Sequence, residues 1–166
     1  MERKINPHDL LVALLQLQNT IERRSDAFFQ PYGLTSAQFN ILNLLGTSDG
    51  RMEQLTLVDL LLVGKSSISV VLNRMVRDEL VRREDHPQDR RQVVLVLTPK
   101  GRALWRKISP RYEKGVREVF GALPVSHRLR FIDDLKILHD ALLAEAGDAK
   151  AGDRWHSYFS LTKKKP

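Results

Sequence analysis

Apolar and polar residues recur with helical spacing in residues 64–77. At about 100° per residue, one side of a helix collects the apolar side chains Ile68, Val71, Leu72, Met75 and Val76. The opposite side collects Ser66, Ser69, Val70, Asn73 and Arg77. Small and donor-bearing side chains allow close approach to a surface and can hydrogen-bond base edges and phosphates. The pattern therefore predicts an amphipathic helix that can enter a major groove, called the reading helix below.

The pattern changes from helical to extended after Leu80. Apolar and β-branched residues at 81–85 and 92–97 flank a turn-rich, charged loop, which predicts a two-stranded hairpin. The tip of this hairpin carries Arg90 and Arg91, and adjacent arginines suit a narrow, electronegative minor groove. Helix and hairpin together predict a winged helix-turn-helix, with the hairpin as its wing.

The helices before the reading helix have recognisable ends. Pro7 and His8 precede a long first helix, which is predicted to end near Pro31 and Gly33. Thr35 is a good N-cap for a second helix, which Gly46 is expected to stop. Residues 55–63 are apolar nearly all round and predict a short third helix, after which Gly64 supplies the tight turn of the helix-turn-helix.

Two further helices are predicted beyond the wing. Thr98 as N-cap and Pro99 at the first helical position begin a long helix that ends at Gly121. Pro110 is expected to kink this helix or to mark a local irregularity. Ser126 is expected to open the last helix.

Three parts of the sequence resemble the MarR (multiple antibiotic resistance regulator) family of transcription factors. They are HPQDRR at 86–91, VLVLTPKG at 94–101 and GLTSAQFNIL at 33–42. The resemblance covers residues 9–146 at family-like spacing. It implies a mainly α fold with a small β-wing, that is, a winged helix-turn-helix with N- and C-terminal dimerisation helices.

The resemblance also implies an organisation and partners. Residues 1–32 would form an N-terminal dimerisation helix, 33–98 the DNA-binding domain, 99–147 the C-terminal dimerisation helices and 148–166 a tail. The first and last helices would pair with those of a second subunit in a homodimer. A small ligand, often aromatic, would bind between these helices and the DNA-binding domain.

Ten residues are candidates for DNA contact. Those of the reading helix are Ser66, Ser67, Ser69, Val70, Asn73, Arg74 and Arg77, and those of the wing are Asp89, Arg90 and Arg91. Asn73 can pair bidentately with adenine and Val70 can pack on a thymine methyl, while Arg74 and Arg77 can reach guanine or phosphate. The resemblance implies that a wing arginine enters the minor groove while Asp89 braces it.

Charge is concentrated at the same place. The chain carries a formal net charge of +7. Residues 64–117 contain fourteen basic and six acidic side chains, an excess of +8, against −2 for 1–63 and +1 for 118–166. A basic face can serve solubility alone. Because charge and motif coincide here, the sequence favours nucleic-acid binding.

Other classes of function lack a recognisable motif. The chain has no cysteine, which excludes disulfides, thiolate nucleophiles, sulfur-based zinc sites and a cysteine-oxidation switch. The five histidines are scattered, Asp133 and Asp134 point to different sides of a helix, and no phosphate-binding loop follows a strand. We expect no catalytic residues, no cofactor and no metal, and a cytoplasmic protein without a membrane span.

The sequence thus predicts a double-stranded DNA-binding transcriptional regulator, a ligand-responsive repressor that acts as a homodimer on a palindromic site. One alternative is a winged-helix module that binds protein or RNA; another is an enzyme with a dispersed active site. The tail at 148–166 is open to two interpretations. It is either a flexible segment or, because Trp155, Tyr158 and Phe159 lie one helical turn apart ahead of three lysines, a docking segment.

Overall fold

The computed structural model describes residues 6–61, 65–89 and 91–146, with side chains throughout except at 65–67 and 145–146. It contains six α-helices and three strands in these ranges. In chain order they are α1 (Pro7–Phe29), α2 (Ser36–Thr47), β1 (Arg51–Glu53), α3 (Gln54–Leu60), α4 (Lys65–Arg77), β2 (Val81–Asp85), β3 (Val93–Leu97), α5 (Pro99–Phe120) and α6 (Val125–Ala146), and a short 3-10 helix (Gln30–Tyr32) follows α1. The predicted fold class, mainly helical with a small β-wing, is confirmed.

The N-caps predicted at Thr35 and Thr98 are both present, and each side chain accepts a hydrogen bond from the first turn of its helix. Thr35 accepts a hydrogen bond from the amide of Gln38, whose side chain returns one from the amide of Thr35, so that a capping box starts α2. Thr98 accepts from the amide of Gly101 at 3.0 Å and starts α5. Its hydroxyl also donates to the carbonyl of Glu79 at 2.6 Å, which ties the helix to the end of α4.

Gly46 does not stop α2, which continues to Thr47, so the prediction of a glycine stop was wrong. The reason is a tertiary contact: a Cβ at Gly46 would collide with the indole ring of Trp105 in α5. Gly46 is therefore the site of close approach between two helices. The turn that follows uses positive φ angles at Asp49 and Gly50 instead.

The third helix is shorter than predicted. It ends at Leu60, and Leu61 adopts an extended backbone while remaining buried. Residues 62–64, including the predicted turn at Gly64, lie outside the described residues. Within α3, Leu57 is buried but Leu55 is 66% exposed, so the described helix does have a solvent face. The run of apolar residues at 55–63 therefore predicted a helix that is longer and more buried than α3.

The wing belongs to a three-stranded sheet. The predicted strands β2 and β3 pair antiparallel, with Val81 opposite Leu97 and Asp85 opposite Val93. A third strand, β1, was not predicted from the sequence; it pairs antiparallel with the other side of β3 and gives the order β1-β3-β2. The prediction of a two-stranded ribbon was therefore incomplete. Three residues with mixed polarity are too few to show the period of two that marks a strand.

The two long terminal helices form the periphery of the described chain. The core is built mainly from α2, α3, α4 and the sheet, and Ile108 of α5 is also fully buried in it, whereas α1 contributes only its last residue, Phe29. Large apolar side chains remain exposed on α1 and α6, among them Leu11, Leu15, Leu129 and Leu142. Between them lies a groove of about 280 Å³, lined by Pro7, Leu10, Leu11, Leu14, Leu138, Ala141 and Leu142.

Helix α5 continues past Pro110 and ends at Phe120. Gly121 is its C-cap, which confirms the predicted end of the helix. Helix α6 begins at Val125, one residue before the predicted start. The guanidinium of Arg128 donates to the carbonyls of Leu123 and Gly121 at 2.8 and 3.0 Å. These bonds satisfy carbonyls at the turn between the two helices.

Candidate nucleic-acid interface

In the reading helix, α4, the apolar side is buried and the opposite side is exposed, as the sequence pattern predicts. Ile68 and Leu72 are 1% exposed and Met75 is 0% exposed, and together they join the core. The exposed side carries Ser69, Val70, Asn73, Arg74 and Arg77, and Val70 is 70% exposed. The side chains of Ser66 and Ser67 lie outside the described residues. An exposed valine among polar side chains leaves an apolar contact surface in water, which a thymine methyl can cover.

The two arginines of this helix both lie near one carboxylate. Arg74 and Arg77 approach Asp78 with N to O distances of 3.7 and 3.8 Å, and all three side chains are largely solvent-exposed. Exposed ion pairs of this length contribute little to stability. The pairs therefore leave both guanidinium groups available to a phosphate or a base edge.

The first strand of the wing, β2, contains an arginine that was not among the candidates for DNA contact chosen from the sequence. Arg83 in β2 donates from Nη2 to Oδ1 of Asn73 in α4 at 2.8 Å. The sheet register pairs Arg83 with Leu95, which pairs in turn with Met52 on β1, so that Arg83 lies on the sheet face that packs toward the helices. It lies on an edge strand and its side chain is exposed, so it reaches the reading helix from the wing. The alternation of side chains along β2 could have shown which face of the strand Arg83 occupies. The sequence does not show that Asn73 is its hydrogen-bond partner.

The other arginine of this strand faces the opposite side of the sheet. Arg82 lies 2.6 Å from Glu84, and Glu84 also lies 3.7 Å from Arg51 of β1. Residues two apart on a strand share a face, which explains the pairing of Arg82 with Glu84. Arg82 and Arg83 thus carry the same charge on opposite faces of the wing.

The tip of the wing is organised by Asp89. Its Oδ1 accepts from the amide of Arg91 at 3.0 Å, and its Oδ2 accepts from Nε2 of Gln92 at 3.1 Å. These two bonds, to Arg91 first and to Gln92 second, lower the pKa of Asp89 below its ordinary value. The contact with Arg91 is to its main chain, so Asp89 shapes the loop that presents the arginine. Arg90 lies outside the described residues.

His86 holds the other side of the same loop. Its Nδ1 accepts from the amides of Gln88 and Asp89 at 3.3 and 3.2 Å. Its Nε2 lies 3.6 Å from Oε1 of Glu53, at the junction of β1 and α3. Because Nδ1 is an acceptor, the neutral ring carries its proton on Nε2, which faces the carboxylate. The loop is thereby anchored to the sheet.

Among residues 6–61, 65–89 and 91–146 there is no cluster of three or more His, Asp or Glu side chains that could hold a metal ion. None of the helices in the same ranges is long and apolar enough to cross a membrane. The interface formed by α4 and the wing is the candidate site that these ranges offer.

Comparisons with known proteins match the part of the chain that contains α4. A sequence model described as the MarR family matches residues 32–92, which span α2, the helix-turn-helix and most of the wing. The repressor YetL of Bacillus subtilis is 28% identical over 103 residues. That alignment spans 61% of this chain and 62% of YetL, which is less than two thirds of that protein.

Three solved structures extend the comparison. AbsC, a MarR family transcriptional regulator of Streptomyces coelicolor, is 28% identical with a TM-score of 0.75, over 86% of this chain and 99% of AbsC. Sco3205 of the same organism, in complex with DNA, has a TM-score of 0.71 over 86% of this chain and 92% of Sco3205. Its 22% identity supports the fold alone. The transcriptional regulator PA4135 is 30% identical over 76% of this chain and 95% of PA4135, with a TM-score of 0.63. With this match, the family model over residues 32–92 and the similarity to AbsC, this chain belongs to the MarR family of transcriptional regulators.

Proposed function

We propose that this protein binds a palindromic site on double-stranded DNA as a homodimer and represses transcription until a small ligand releases it. The observation that carries the proposal is the shared exposed surface of α4 and the wing, linked by the bond from Arg83 to Asn73. Ser69, Val70, Asn73, Arg74 and Arg77 would face the major groove, together with Ser66 and Ser67. Arg91 and Arg90 would reach the minor groove from a loop shaped by Asp89.

Charge supports a nucleic acid as the partner. Residues 64–98, which include α4 and the wing, carry seven basic and five acidic side chains, and each phosphate that they neutralise releases counterions. The larger part of the +8 excess, seven basic and one acidic side chain, lies in residues 99–117 on α5. Affinity for a duplex should therefore fall linearly on a log-log plot against salt. Two reading helices in a dimer would require half-sites about one helical turn apart.

The terminal helices support the dimer. Leu10, Leu11, Leu15 and Ile21 on α1, and Leu129, Ile137 and Leu142 on α6, are each at least 40% exposed. Apolar surface of this extent is unfavourable in water and is typical of a protein interface. Burying both helices against a second copy would also set the distance between the two reading helices.

The proposed domains would not be independent units. Phe29, in segment 1–32, stacks on Phe39 of the DNA-binding segment 33–98 with centroids 4.5 Å apart. Tyr112, in segment 99–147, lies 4.8 Å from the same Phe39 ring. All three proposed segments therefore contribute to one aromatic cluster. A change in the angle of α1 or α5 would be transmitted to α2 through rings that are already in contact.

This cluster also supports the site proposed for the ligand. Tyr32 accepts a hydrogen bond from Nη1 of Arg111 at 3.1 Å, and Nζ of Lys107 lies 6.0 Å from the Tyr32 ring centroid. Aromatic rings beside two cations suit a small aromatic acid. A ligand that releases DNA a hundredfold must prefer the released form by about 2.7 kcal/mol.

The test begins with the DNA. Sites selected from random duplexes, and sites bound across the genome of the source organism, should agree on one palindrome. Labelled copies of that palindrome should resist random competitor DNA, and a promoter carrying it should be less active when the protein is present. Equal affinity for every duplex, or tighter binding to RNA or to an acidic protein, would favour the alternative of a winged-helix interaction module.

The ligand is tested separately with a panel of aromatic acids. A true effector should weaken DNA binding and raise the melting temperature of the free protein. Arg111→Ala should abolish the response while leaving DNA affinity intact. A broad panel without any release would remove the ligand from the proposal, and the DNA-binding function would stand.

A further inference from the structure

Arg83 and Asn73 form a pair between two elements that would straddle one strand of bound DNA. Asn73 lies on the exposed side of α4, and Arg83 lies on β2 at the base of the wing. A helix in the major groove and a hairpin tip in the minor groove must be joined across the intervening sugar-phosphate backbone. The pair occupies that junction, where a phosphate would pass.

The chemistry of the pair fixes how Asn73 is oriented. An arginine side chain has only donors, so the group of Asn73 that meets it must be the carbonyl Oδ1, at 2.8 Å from Nη2. The bidentate readout of adenine needs both Oδ1 as acceptor and Nδ2 as donor. With Oδ1 directed at Arg83, Asn73 is poorly placed for that readout.

The guanidinium keeps free donors in this arrangement. Arginine presents five N–H groups in a planar fork, and the bond to Asn73 uses one of them. Both residues are exposed, so the bond adds little stability by burial. Its effect is to restrict a long side chain that otherwise loses rotamer freedom on binding. A guanidinium held in one place is pre-organised for the oxygen atoms of a phosphate.

We propose that Arg83 is a phosphate-contacting residue of the DNA interface and that Asn73 is a positioning residue for it, in place of the adenine reader expected from the sequence. This inference rests on the proposed DNA-binding function. It adds a contact at the base of the wing to the contacts already proposed at its tip. It also predicts that the two side chains act as a unit.

The neighbouring arginine supplies a matched control. Arg82 has the same charge and lies on the same strand, but it faces the other side of the sheet and is held by Glu84. Replacing it removes one positive charge from the wing without touching the pair. If only the loss of a positive charge mattered, Arg82→Ala and Arg83→Ala would lower DNA affinity equally. If Arg83 contacts a phosphate, Arg83→Ala should lower the affinity more than Arg82→Ala.

The experiment measures affinity for the selected palindrome and for a scrambled duplex at several salt concentrations. We expect Arg83→Ala to weaken both complexes about tenfold and to reduce the salt slope by about one, as the loss of a phosphate contact requires. Arg82→Ala should change affinity less than threefold. Asn73→Ala should weaken both complexes by several fold with an unchanged base preference, and its effect should disappear in the Arg83→Ala background.

Three outcomes would overturn the inference. The first is an Arg83→Ala variant that behaves like Arg82→Ala. The second is an Asn73→Ala variant that prefers a different base, which would make Asn73 a reader. The third is additive effects of the two substitutions, which would show that the pair does not act as a unit. Failure of the proposed function would look different, because the unsubstituted protein would then bind no duplex in preference to another.

Discussion

Trp105 in α5 lies against the backbone of Gly46 in α2, where no side chain larger than hydrogen fits. The indole Nε1–H also donates to Oδ1 of Asn43 at 3.2 Å, so the ring is held by a hydrogen bond as well as by packing. This contact joins the helix that follows the wing to the helix that precedes the helix-turn-helix. It predicts that the two elements tolerate no added volume at Gly46.

The packing is tested by Gly46→Ala. The added methyl would collide with the indole ring, and overpacking of this kind costs about 1–3 kcal/mol of unfolding free energy. Gly115→Ala is the control, because Gly115 is also helical but has no atom within 4 Å of an added Cβ. That substitution should stabilise by about 0.5–1 kcal/mol. Equal melting temperatures for the two variants would show that Trp105 moves aside freely.

Arg91 is predicted to be the strongest contact of the wing tip. Its side chain is exposed, so Arg91→Ala should leave the melting temperature unchanged. The affinity for the palindrome should fall more than tenfold, which corresponds to about 1.4 kcal/mol. Fluorescence anisotropy measures the affinity and calorimetry the stability. A melting temperature that falls with the affinity would indicate a folding defect rather than a lost contact.

Asp89 is predicted to help DNA binding in spite of its negative charge. Asp89→Ala frees the amide of Arg91 and the side chain of Gln92, so the loop should lose its shape and affinity should fall. Asp85→Ala is the control, since it removes the same charge from an exposed position on the same wing. By electrostatics alone it should leave binding unchanged or slightly tighter. Tighter binding by both variants would remove the structural role of Asp89.

The lowered pKa of Asp89 gives this role a pH dependence with a definite sign. The folded loop stabilises the ionised carboxylate, so its contribution is present above the ordinary aspartate pKa of 3.8 and is lost as the pH falls through the lower folded pKa. The amide resonance of Arg91 should therefore shift with a midpoint below 3.8 in an NMR titration. The shift should be absent in Asp89→Ala. A midpoint at or above the ordinary value would contradict the two hydrogen bonds.

Val70 is predicted to read a base. It is 70% exposed, so Val70→Ala should leave the melting temperature unchanged but weaken selection for thymine at one position of the site. The adjacent Val71 packs against the core. Val71→Ala should therefore lower the unfolding free energy by about 1 kcal/mol and leave the base preference unchanged. Sequencing of selected duplexes measures the preference. An unchanged preference for Val70→Ala would mean that this part of α4 does not touch the bases.

The dimer is predicted to depend on the exposed faces of α1 and α6. Leu15→Glu combined with Leu142→Glu places two charges on side chains that are 54% and 70% exposed in the single chain. Sedimentation at micromolar concentration should give a dimer for the unsubstituted protein and mostly monomer for this variant. Leu55→Glu is the control, because Leu55 is 66% exposed but lies on α3, away from both helices. A monomer before substitution would exclude the proposed assembly.

The parts of the fold that depend on nearby residues were predictable. The capping box at Thr35, the cap at Thr98 and the end of α5 at Gly121 all use hydrogen bonds within a few residues of the cap. The separation of buried Ile68 from exposed Val70 follows from 3.6 residues per turn, which needs no knowledge of the partner. The sequence therefore determined the order of the helices, the two strands of the wing and the side of α4 that faces solvent.

Contacts between distant segments were decided by the tertiary structure. Residues 51–53 form β1 by pairing with the edge of β3, and Gly46 lies within α2 where Trp105, 59 positions later, occupies the space that a Cβ would take. Arg83 meets Asn73 because strand register and helix packing bring the two together. A sequence carries the periodicity and chemistry of each segment, but which side chains meet depends on how the segments pack. The sequence was thus sufficient to choose candidates for DNA contact, whereas Arg83, the partner that orients Asn73, was identified only from the tertiary structure.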